Sequence, residues 1–459
     1  MKKSVVFLSL FLVIAVLLSA CTTPAPAPAP APVAQAPEPA QAPAEPAGFD
    51  WKMRQGETLR VAMVTQPWTE FIGKHIEEFK ALTGVNVTYE ILPEDQFRQK
   101  TTVEFAAGTS DVDVFLSMVA QEGIKYDSAG WYADFKTFLD NQAITDPDFD
   151  FADFTTSGLE IATLPTGKLI GLPVYNEFGA LFYNVELFEK AGVPYPPVTQ
   201  EDVVNAAAAI NNPAAGIYGF VGRGRGAAAT SQWSSIMHSY GIDWVDENGA
   251  SNVANPKFAE AIKWYGDLQR MYGPEGTTSY SWQQGQDIFL QGKAGMWLDA
   301  SVFFANLVDP AQSTIMDKVG VTMAPEGPAG RTPYVGGWHL SIYKASKHPE
   351  AAWLFVQWAL GKEMALKAQL NNITTGRVSA WESAEYAAQN KYPQFTETFL
   401  EAMKIGDARW NPPVLAVSEA RDAIGALIVK AIEGSGFEAD IEKTNAKLQE
   451  LLDATPKLQ

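Results

Sequence analysis

The chain has 459 residues, of which 34 are Lys or Arg and 53 are Asp or Glu, and its formal net charge at pH 7 is −19. This acidic balance argues against nucleic-acid binding, which depends on neutralising phosphates, and against electrostatic attachment to anionic lipid. The single cysteine excludes an intramolecular disulfide, so a chain of ordinary globular composition must be stabilised by burial alone.

The first twenty residues have the organisation of a secretory signal peptide. Two lysines precede an apolar run over residues 5–18, and two small residues follow it. A membrane-spanning helix needs about 20 apolar residues, and this run is shorter. The sequence Leu18-Ser19-Ala20-Cys21 resembles the lipobox of bacterial lipoproteins, which implies that Cys21 carries lipid. We therefore predict a lipoprotein signal peptide over 1–20 and an exported protein anchored to the outer face of the cell membrane.

Residues 21–48 form a Pro/Ala-rich segment between the predicted cleavage site and the globular body. Proline alternates with alanine from Pro24 to Pro32 and recurs up to Pro46. Such a composition cannot bury a core, and it favours extended polyproline II structure. We predict a flexible linker that holds residues 49–459 away from the membrane.

The body opens with alternating strand and helix patterns. Residues 58–64 and 86–92 have the alternating side-chain pattern of strands, and a helix is predicted between them. A second helix near 95–107 and a buried strand over 111–117 follow. This alternation indicates a parallel sheet, whose ligands collect at the carboxyl ends of its strands. The candidates that directly follow the first strand are Gln66, Trp68 and Thr69, and those that follow the third are Ser117, Met118, Gln121 and Glu122.

The rest of the chain is mixed and then mostly helical. Helices are predicted at 199–211, 254–272 and 283–292 in the middle of the chain. In the C-terminal third, residues 348–370 have the pattern of one long helix. Two further helices are predicted there, at 416–434 and 437–454.

Signatures of catalysis and of metal binding are missing from the sequence. None of the four histidines forms a His-x-x-x-His pair and there is one cysteine, so we predict no metal and no cofactor. The glycine-rich residues 221–231 lack the Gly-Lys-Ser/Thr of a P-loop and indicate a surface loop, in which Arg223 or Arg225 could contact an anionic group. The paired carboxylates of a glycosidase cannot be selected by spacing among 53 acids.

Three segments resemble the extracellular solute-binding proteins (family 1) of bacterial ABC sugar importers. Residues 167–199 contain Gly171-Leu172-Pro173, Leu181-Phe182-Tyr183-Asn184, Leu187-Phe188, Ala191-Gly192 and Pro196-Pro197, as in the family's strand between lobes. Residues 289–301 resemble the family's Phe-x-x-Gly-Lys-Ala-x-Met stretch, and residues 335–360 resemble its return strand and the following helix. In order and spacing the resemblance covers residues 57–455.

The resemblance implies an α/β, two-lobed periplasmic-binding-protein-like fold with a hinge, each lobe being a mainly parallel sheet flanked by helices. Lobe 1 is expected over about 49–172 and 335–372, and lobe 2 over about 173–334 and 373–459. The lobes of such proteins close on a ligand in the cleft between them. Closure requires that the ligand contact the closed state more favourably than the open one.

The resemblance also implies a set of cleft residues. Aromatic faces can stack on a sugar ring, while carboxylates and amides can bind its hydroxyls. The positions expected at the cleft are Gln66, Trp68, Ser117, Met118, Gln121, Tyr175, Glu177, Trp233, Asp299, Ser301, Gly337, Trp338, His339, Arg377, Trp410 and Glu419. Burial in the core is the alternative for each tryptophan, and a buried Glu177 or Asp299 would need either a protein partner or a ligand hydroxyl.

We expect the protein to capture a small carbohydrate, either a mono- or disaccharide or a polyol, and to deliver it to an ABC permease. We also expect it to act as a monomer and not to be an enzyme. Val302 occupies the place where maltose-binding members carry a stacking tryptophan, which argues against a maltodextrin ligand. Two alternatives stay open. One is a binder of an anionic solute such as a sugar phosphate, held by Arg223, Arg225 or Arg377, and the other is a surface carbohydrate-active enzyme.

Overall fold

A computed structural model describes residues 48–164 and 166–455. The predicted signal peptide, the lipidation of Cys21 and the linker up to residue 47 lie outside the described residues. Among the described residues, no helix combines the length and the apolar content that crossing a membrane requires.

The described strands form one eight-stranded arrangement with the order β2-β1-β3-β8-β4-β6-β5, in which β7 also pairs with β4. Their bounds are β1 (Thr58–Val64), β2 (Asn86–Leu92), β3 (Val114–Ser117), β4 (Leu172–Asn184), β5 (Tyr218–Val221), β6 (Ala294–Ala300), β7 (Val319–Met323) and β8 (Val335–Ile342). The predicted parallel pairing is found for β1 with β2, β1 with β3 and β5 with β6. The strands that connect these groups, β4 and β8, pair antiparallel to their neighbours.

Strand β4 joins the two halves of the sheet. Its first part, from Leu172 to Phe178, pairs with β8, and its second part, from Gly179 onward, pairs with β6 and β7. All thirteen of its residues are buried, as expected for a strand with both faces covered by helices. Pro173 stands near its start, where a missing backbone donor is tolerated.

Helices cover both faces of the sheet. They are α1 (Pro67–Thr83), α2 (Glu94–Ala107), α3 (Val119–Ser128), α4 (Phe135–Leu139), α5 (Thr156–Ala162), α6 (Val185–Ala191), α7 (Gln200–Ile210), α8 (Gly226–Ser239), α9 (Pro256–Tyr272), α10 (Trp282–Leu290), α11 (Phe304–Leu307), α12 (Pro349–Ala359), α13 (Lys362–Leu370), α14 (Val378–Trp381), α15 (Ala384–Gln389), α16 (Pro393–Ile405), α17 (Val417–Glu433) and α18 (Ile441–Asp453).

Two local predictions are wrong. The predicted helix over 348–370 is two helices, α12 and α13, because Gly361 adopts an extended conformation as the cap of the second. The predicted surface loop over 221–231 is instead the end of β5 and the start of α8, and the chain between them is largely buried. Gly226 makes this sharp entry into α8 possible, since its φ is +38°.

The buried apolar side chains form two clusters. The larger one contains the apolar residues of β1, β3 and β8 and those of α12, including Phe115, Leu340 and Trp353. The second lies under α8, α9 and α17 and contains Trp233, Phe258 and Ile428. Residues from both parts of β4 enter these clusters. The lobe boundaries drawn from the sequence stay a prediction.

Candidate functional site

A cavity lies where several strands end beside β4, and we call it the inner cavity. Its empty space of about 530 Å³ includes part of the open solvent at its mouth. Its walls come from the segment after β1, from α2 and α3, from the middle of β4, from the end of β6 and from the start of β8. They also come from α8, α10 and α17. The lining residues are Val64, Thr65, Gln66, Glu94, Met118, Gln121, Tyr175, Glu177, Arg223, Ser231, Gln232, Trp282, Ala300, Val302, Phe303, Tyr334, Trp338, Trp410 and Arg421.

Aromatic side chains supply most of the flat surface of the inner cavity. Trp282 stacks on Phe303 with ring centroids 4.7 Å apart and planes 20° apart. Tyr334 packs against Trp410 at 5.7 Å, and Trp338 enters the wall from β8. Walls of this kind bind the apolar faces of small organic molecules, including the C–H faces of sugars and polyols.

Glu177 is a carboxyl group buried in the inner cavity, where it is 5% exposed. Removal from water raises its pKa to about 7; Arg223 opposes this rise, while Asp299 and Glu94 add to it. The hydroxyl of Tyr334 donates a hydrogen bond to it at 3.4 Å. Near neutral pH this group can therefore either donate or accept a hydrogen bond.

A buried ion pair stands beside Glu177. The Arg223 guanidinium contacts both carboxylate oxygens of Asp299 from its Nε, at 3.2 and 3.0 Å, and Asp299 is fully buried. Desolvation is the largest single influence and opposes the charge of Arg223, but the charge and the hydrogen bonds of Asp299, together with smaller contributions from Tyr334 and Glu94, outweigh it and raise the arginine pKa. Gln232 also donates to Asp299, at 3.3 Å. The negative charge of Asp299 is thus already satisfied by protein groups.

Arg421 differs from Arg223 because its hydrogen-bond partners are neutral. It donates to the Gln121 side chain at 2.8 Å, to the Ala227 carbonyl at 2.7 Å and to the Thr230 hydroxyl at 2.9 Å. Its guanidinium lies 5.7 Å from the centroid of Trp410. Burial lowers its pKa to about 10. The side chain remains cationic at neutral pH and joins α17 to α8 and α3.

Three polar atoms of the cavity walls lack a hydrogen-bond partner among the described residues: Gln66 Nε2, Gln232 Oε1 and Trp410 Nε1. All three side chains are more than nine-tenths buried. Buried donors and acceptors are normally paired, and an unpaired one costs about 1–3 kcal/mol. The inner cavity therefore presents two donors and one acceptor that a polar solute could satisfy.

The structure brings seven of the sequence-predicted site residues together at the inner cavity: Gln66, Met118, Gln121, Tyr175, Glu177, Trp338 and Trp410.

Four other predicted residues, Asp299, Ser301, Ser117 and Gly337, lie just behind the wall of the cavity. Asp299 holds Arg223, and the Ser301 hydroxyl accepts a hydrogen bond from the Phe178 amide at 3.0 Å. Ser117 bonds to the hydroxyl of Tyr132, while Gly337 packs so closely on Tyr175 that an added Cβ would clash with its carbonyl oxygen.

The other five predicted residues, Trp68, Trp233, His339, Arg377 and Glu419, do not line the inner cavity. Trp68 and Trp233 are core residues of the larger and the second apolar cluster. His339 is buried, its Nε2 lies 3.1 Å from the Gly158 carbonyl, and burial lowers its pKa to about 4. Arg377 donates to the Leu360 and Asp150 carbonyls, and Glu419 pairs with Lys447 at 3.5 Å on the surface.

Sequence reasoning did not find several lining residues, including Glu94, Gln232, Trp282, Tyr334 and Arg421. One of them did leave a signal. Arg421 falls on the apolar stripe of α17, between Val417 and Ile424, where a charge must be buried. The others have no distinguishing local pattern, because they reach the cavity only through the tertiary fold.

Comparison with known proteins gives the same family from sequence and from structure. The sequence model for bacterial extracellular solute-binding proteins matches residues 64–366. The erythritol/L-threitol-binding protein of Mycolicibacterium smegmatis is 27% identical over 384 residues, which cover 78% of this chain and 79% of the relative.

Two solved structures are similar over nearly their whole length. An ABC transporter solute-binding protein from Agrobacterium radiobacter, in complex with ribitol, is 25% identical with a TM-score of 0.79, covering 86% of this chain and 99% of that one. One from Agrobacterium vitis, with bound D-mannitol, is 26% identical with a TM-score of 0.76, covering 87% and 100%. The predicted α/β, two-lobed fold class is confirmed.

Proposed function

Because this chain belongs to the family of bacterial extracellular solute-binding proteins, we propose that it captures a small neutral polyhydroxylated solute, a polyol or monosaccharide, for an ABC importer. Relatives and structural neighbours with bound or named ligands take erythritol, L-threitol, ribitol and D-mannitol. The family consists of ligand-binding components of transporters, and we propose that this member likewise performs no catalysis.

One observation carries the proposal: the inner cavity combines flat aromatic walls with unpaired buried polar atoms of both kinds. A polyol hydroxyl is at once donor and acceptor, so it can pair with Gln66 Nε2 and with Gln232 Oε1. A second hydroxyl can donate to Glu177. The C–H faces between hydroxyls can lie on Trp338 or Trp410, and we assign the seven lining residues predicted from the sequence to ligand binding.

Closure of two lobes is the proposed capture step. Contacts already reach across the cleft: Arg225 pairs with Asp95 at 3.1 Å, and Arg421 with Gln121 at 2.8 Å. With lobe 1 over about 49–172 and 335–372 and lobe 2 over the remainder of 49–459, each contact joins one lobe to the other. A solute that touches Gln66 and Trp338 on one side and Gln232 on the other favours the closed arrangement.

Anchoring at the cell surface belongs to the same proposal. Residues 1–20 direct export, Cys21 carries lipid and residues 22–48 tether a monomeric binding domain to the membrane beside its permease. The family is extracellular or periplasmic, in keeping with this location.

A second candidate, a solute with an anionic group such as a sugar phosphate, is favoured by Arg421. Within the described residues no carboxylate lies within ion-pair distance of its guanidinium, although it lines the inner cavity. The three arginines predicted for this role from the sequence have other partners. Arg223 pairs with Asp299 and Arg225 with Asp95, while Arg377 donates to the Leu360 and Asp150 carbonyls. Glu94 and Glu177 in the same cavity favour the neutral ligand.

Calorimetric titration and thermal shift with polyols, monosaccharides, maltose and sugar phosphates test both candidates, since a ligand that binds only the folded state raises Tm. Binding of a polyol or monosaccharide is expected. Binding of sugar phosphates alone would replace the first candidate with the second, and absence of binding throughout would refute both. Turnover of a bound glycan would identify an enzyme instead.

Trp338→Ala tests the site itself. We expect its affinity to fall by about 30-fold, equivalent to about 2 kcal/mol for a buried aromatic anchor. The matched control is Trp358→Ala, a partly buried tryptophan on α12 that does not line the cavity. Equal losses of affinity in both variants would contradict the assignment.

A further inference from the structure

We propose that Arg98 is a positioning residue that fixes the orientation of Trp338 and the edge of the inner cavity around it. Arg98 is not among the residues lining the cavity, and it lies on α2 rather than on the strand that carries Trp338. The inference deepens the proposed function, on which its consequence for ligand affinity rests.

The first observation is a cation–π contact. The guanidinium carbon of Arg98 lies 5.1 Å from the centroid of the Trp338 ring. Cation–π contacts within about 6 Å of the ring centroid are favourable, and they are stronger at desolvated sites. Arg98 is largely buried here, so the contact is of the stronger kind. Trp338 itself lines the inner cavity, so Arg98 contacts a ring that forms part of the cavity wall.

The second observation is that the same guanidinium is held by carboxylates from two different elements. Its Nη2 donates to Glu94 at 3.0 Å, and its Nη1 pairs with Glu122 of α3. Burial opposes the charge of Arg98, yet these two acids raise its pKa. Two of the three guanidinium nitrogens are therefore held by carboxylates while the group lies beside the Trp338 ring.

The third observation connects this cluster to the wall of the cavity. Glu122 accepts a hydrogen bond from the backbone amide of Met118 at 2.6 Å, and Met118 lines the cavity. Arg98 thus ties together Glu94, Met118 and Trp338, three lining residues on three separate elements. A ligand surface assembled from separate elements needs such a link to keep its geometry within a fraction of an ångström.

Arg98→Lys is the decisive variant. Lysine can keep the positive charge beside Glu122 but has no planar group to stack on the ring. The double variant Arg98→Met/Glu122→Gln removes both charges together, which avoids leaving a buried carboxylate unpaired. The matched control is Arg377→Lys, since Arg377 is another buried arginine, lies 3.9 Å from the centroid of Phe154 and does not line the cavity.

The readout is the signature of Trp338 alone, obtained without any ligand. Near-ultraviolet circular dichroism and acrylamide quenching are measured for each protein and for the same protein with Trp338→Phe, and the difference isolates Trp338. We expect the Trp338 band to weaken and its quenching to rise severalfold in the Arg98→Lys and double variants. The Arg377→Lys control should keep both values.

D-Mannitol and ribitol serve as binding probes in the same set. Weaker binding by the Arg98 variants, together with the altered Trp338 signature, supports the inference. An unchanged signature in both variants would overturn it, whatever the affinities. If neither probe binds the unaltered protein, these two polyols are excluded as ligands and the full ligand series decides the proposed function, while the Trp338 signature still decides the role of Arg98.

Discussion

Replacing Glu177 by Gln is expected to make the ligand-free protein more stable at neutral and alkaline pH. The carboxyl has a folded-state pKa of about 7 against a usual value of 4.5. Below the usual value the group is protonated in both states and contributes no difference. Between the two values the unfolded chain loses its proton while the folded protein keeps it, so stability falls as pH rises. Above about pH 7 the loss is complete.

The size of this loss follows from the shift. A difference of about 2.5 pKa units corresponds to about 3 kcal/mol at 1.36 kcal/mol per unit. A glutamine side chain at this position would resemble the protonated acid and would carry no such dependence. Other titrating groups are common to both proteins, so the difference in unfolding free energy between them isolates Glu177.

Urea unfolding of both proteins from pH 5 to pH 8, without ligand, measures this difference. We expect the Glu177→Gln variant to gain stability relative to the parent from pH 5 to 7 and then to hold a constant advantage. A difference that does not change with pH would refute the reasoning that burial sets this pKa. If a ligand hydroxyl donates to the carboxylate, affinity of the parent should rise with pH over the same interval, and that of the variant should not.

Three further changes have separable outcomes. Asp299→Asn should lower the unfolding free energy by about 3–5 kcal/mol, because it leaves Arg223 buried without its partner; urea unfolding measures this, and a loss below about 1 kcal/mol would contradict the pairing. Arg377→Met should also destabilise the fold but leave ligand affinity unchanged in titration. A large loss of affinity would instead show that Arg377 belongs to the binding site. Cys21→Ala should release the protein from the membrane fraction with its ligand binding intact; retention there on cell fractionation would refute lipid anchoring.

The part of the site that follows strand ends could be predicted from the sequence. Gln66, Met118 and Gln121 were placed at the cavity by one rule, that ligands gather at the carboxyl ends of parallel strands. Tyr175 and Glu177 required the family resemblance, because they lie inside a continuous buried strand. No local pattern in that strand distinguishes a cavity residue from a core residue.

The misplaced candidates show the complementary limit. Trp233 has the chemistry of a stacking platform, yet it packs between Trp244 and Phe258 in the core. Arg377 has the chemistry needed to bind an anion, yet its guanidinium donates hydrogen bonds to two backbone carbonyls and lies against two phenylalanine rings. The same side chains serve core and cleft equally well, so residue type alone cannot decide between them.

The opposite case is Arg421, whose position on the apolar stripe of α17 marks it as unusual but does not say what it faces. Only the packing of α17 against α8 brings it to the inner cavity.

The division of the predicted long helix has a local cause, since it occurs at Gly361, a residue that is visible in the sequence.

Because β4 serves both halves of the sheet, the order in which the chain is made determines when the fold can be completed. Leu172 pairs with Leu340, and among the described strands those before β4 reach it only through β8. The N-terminal half therefore has an open sheet edge until residues near 342 are available. For an exported chain this postpones stable folding until most of it has crossed the membrane. Unfolding of either half of the sheet would also expose buried surface of the other half, so we expect a single unfolding transition.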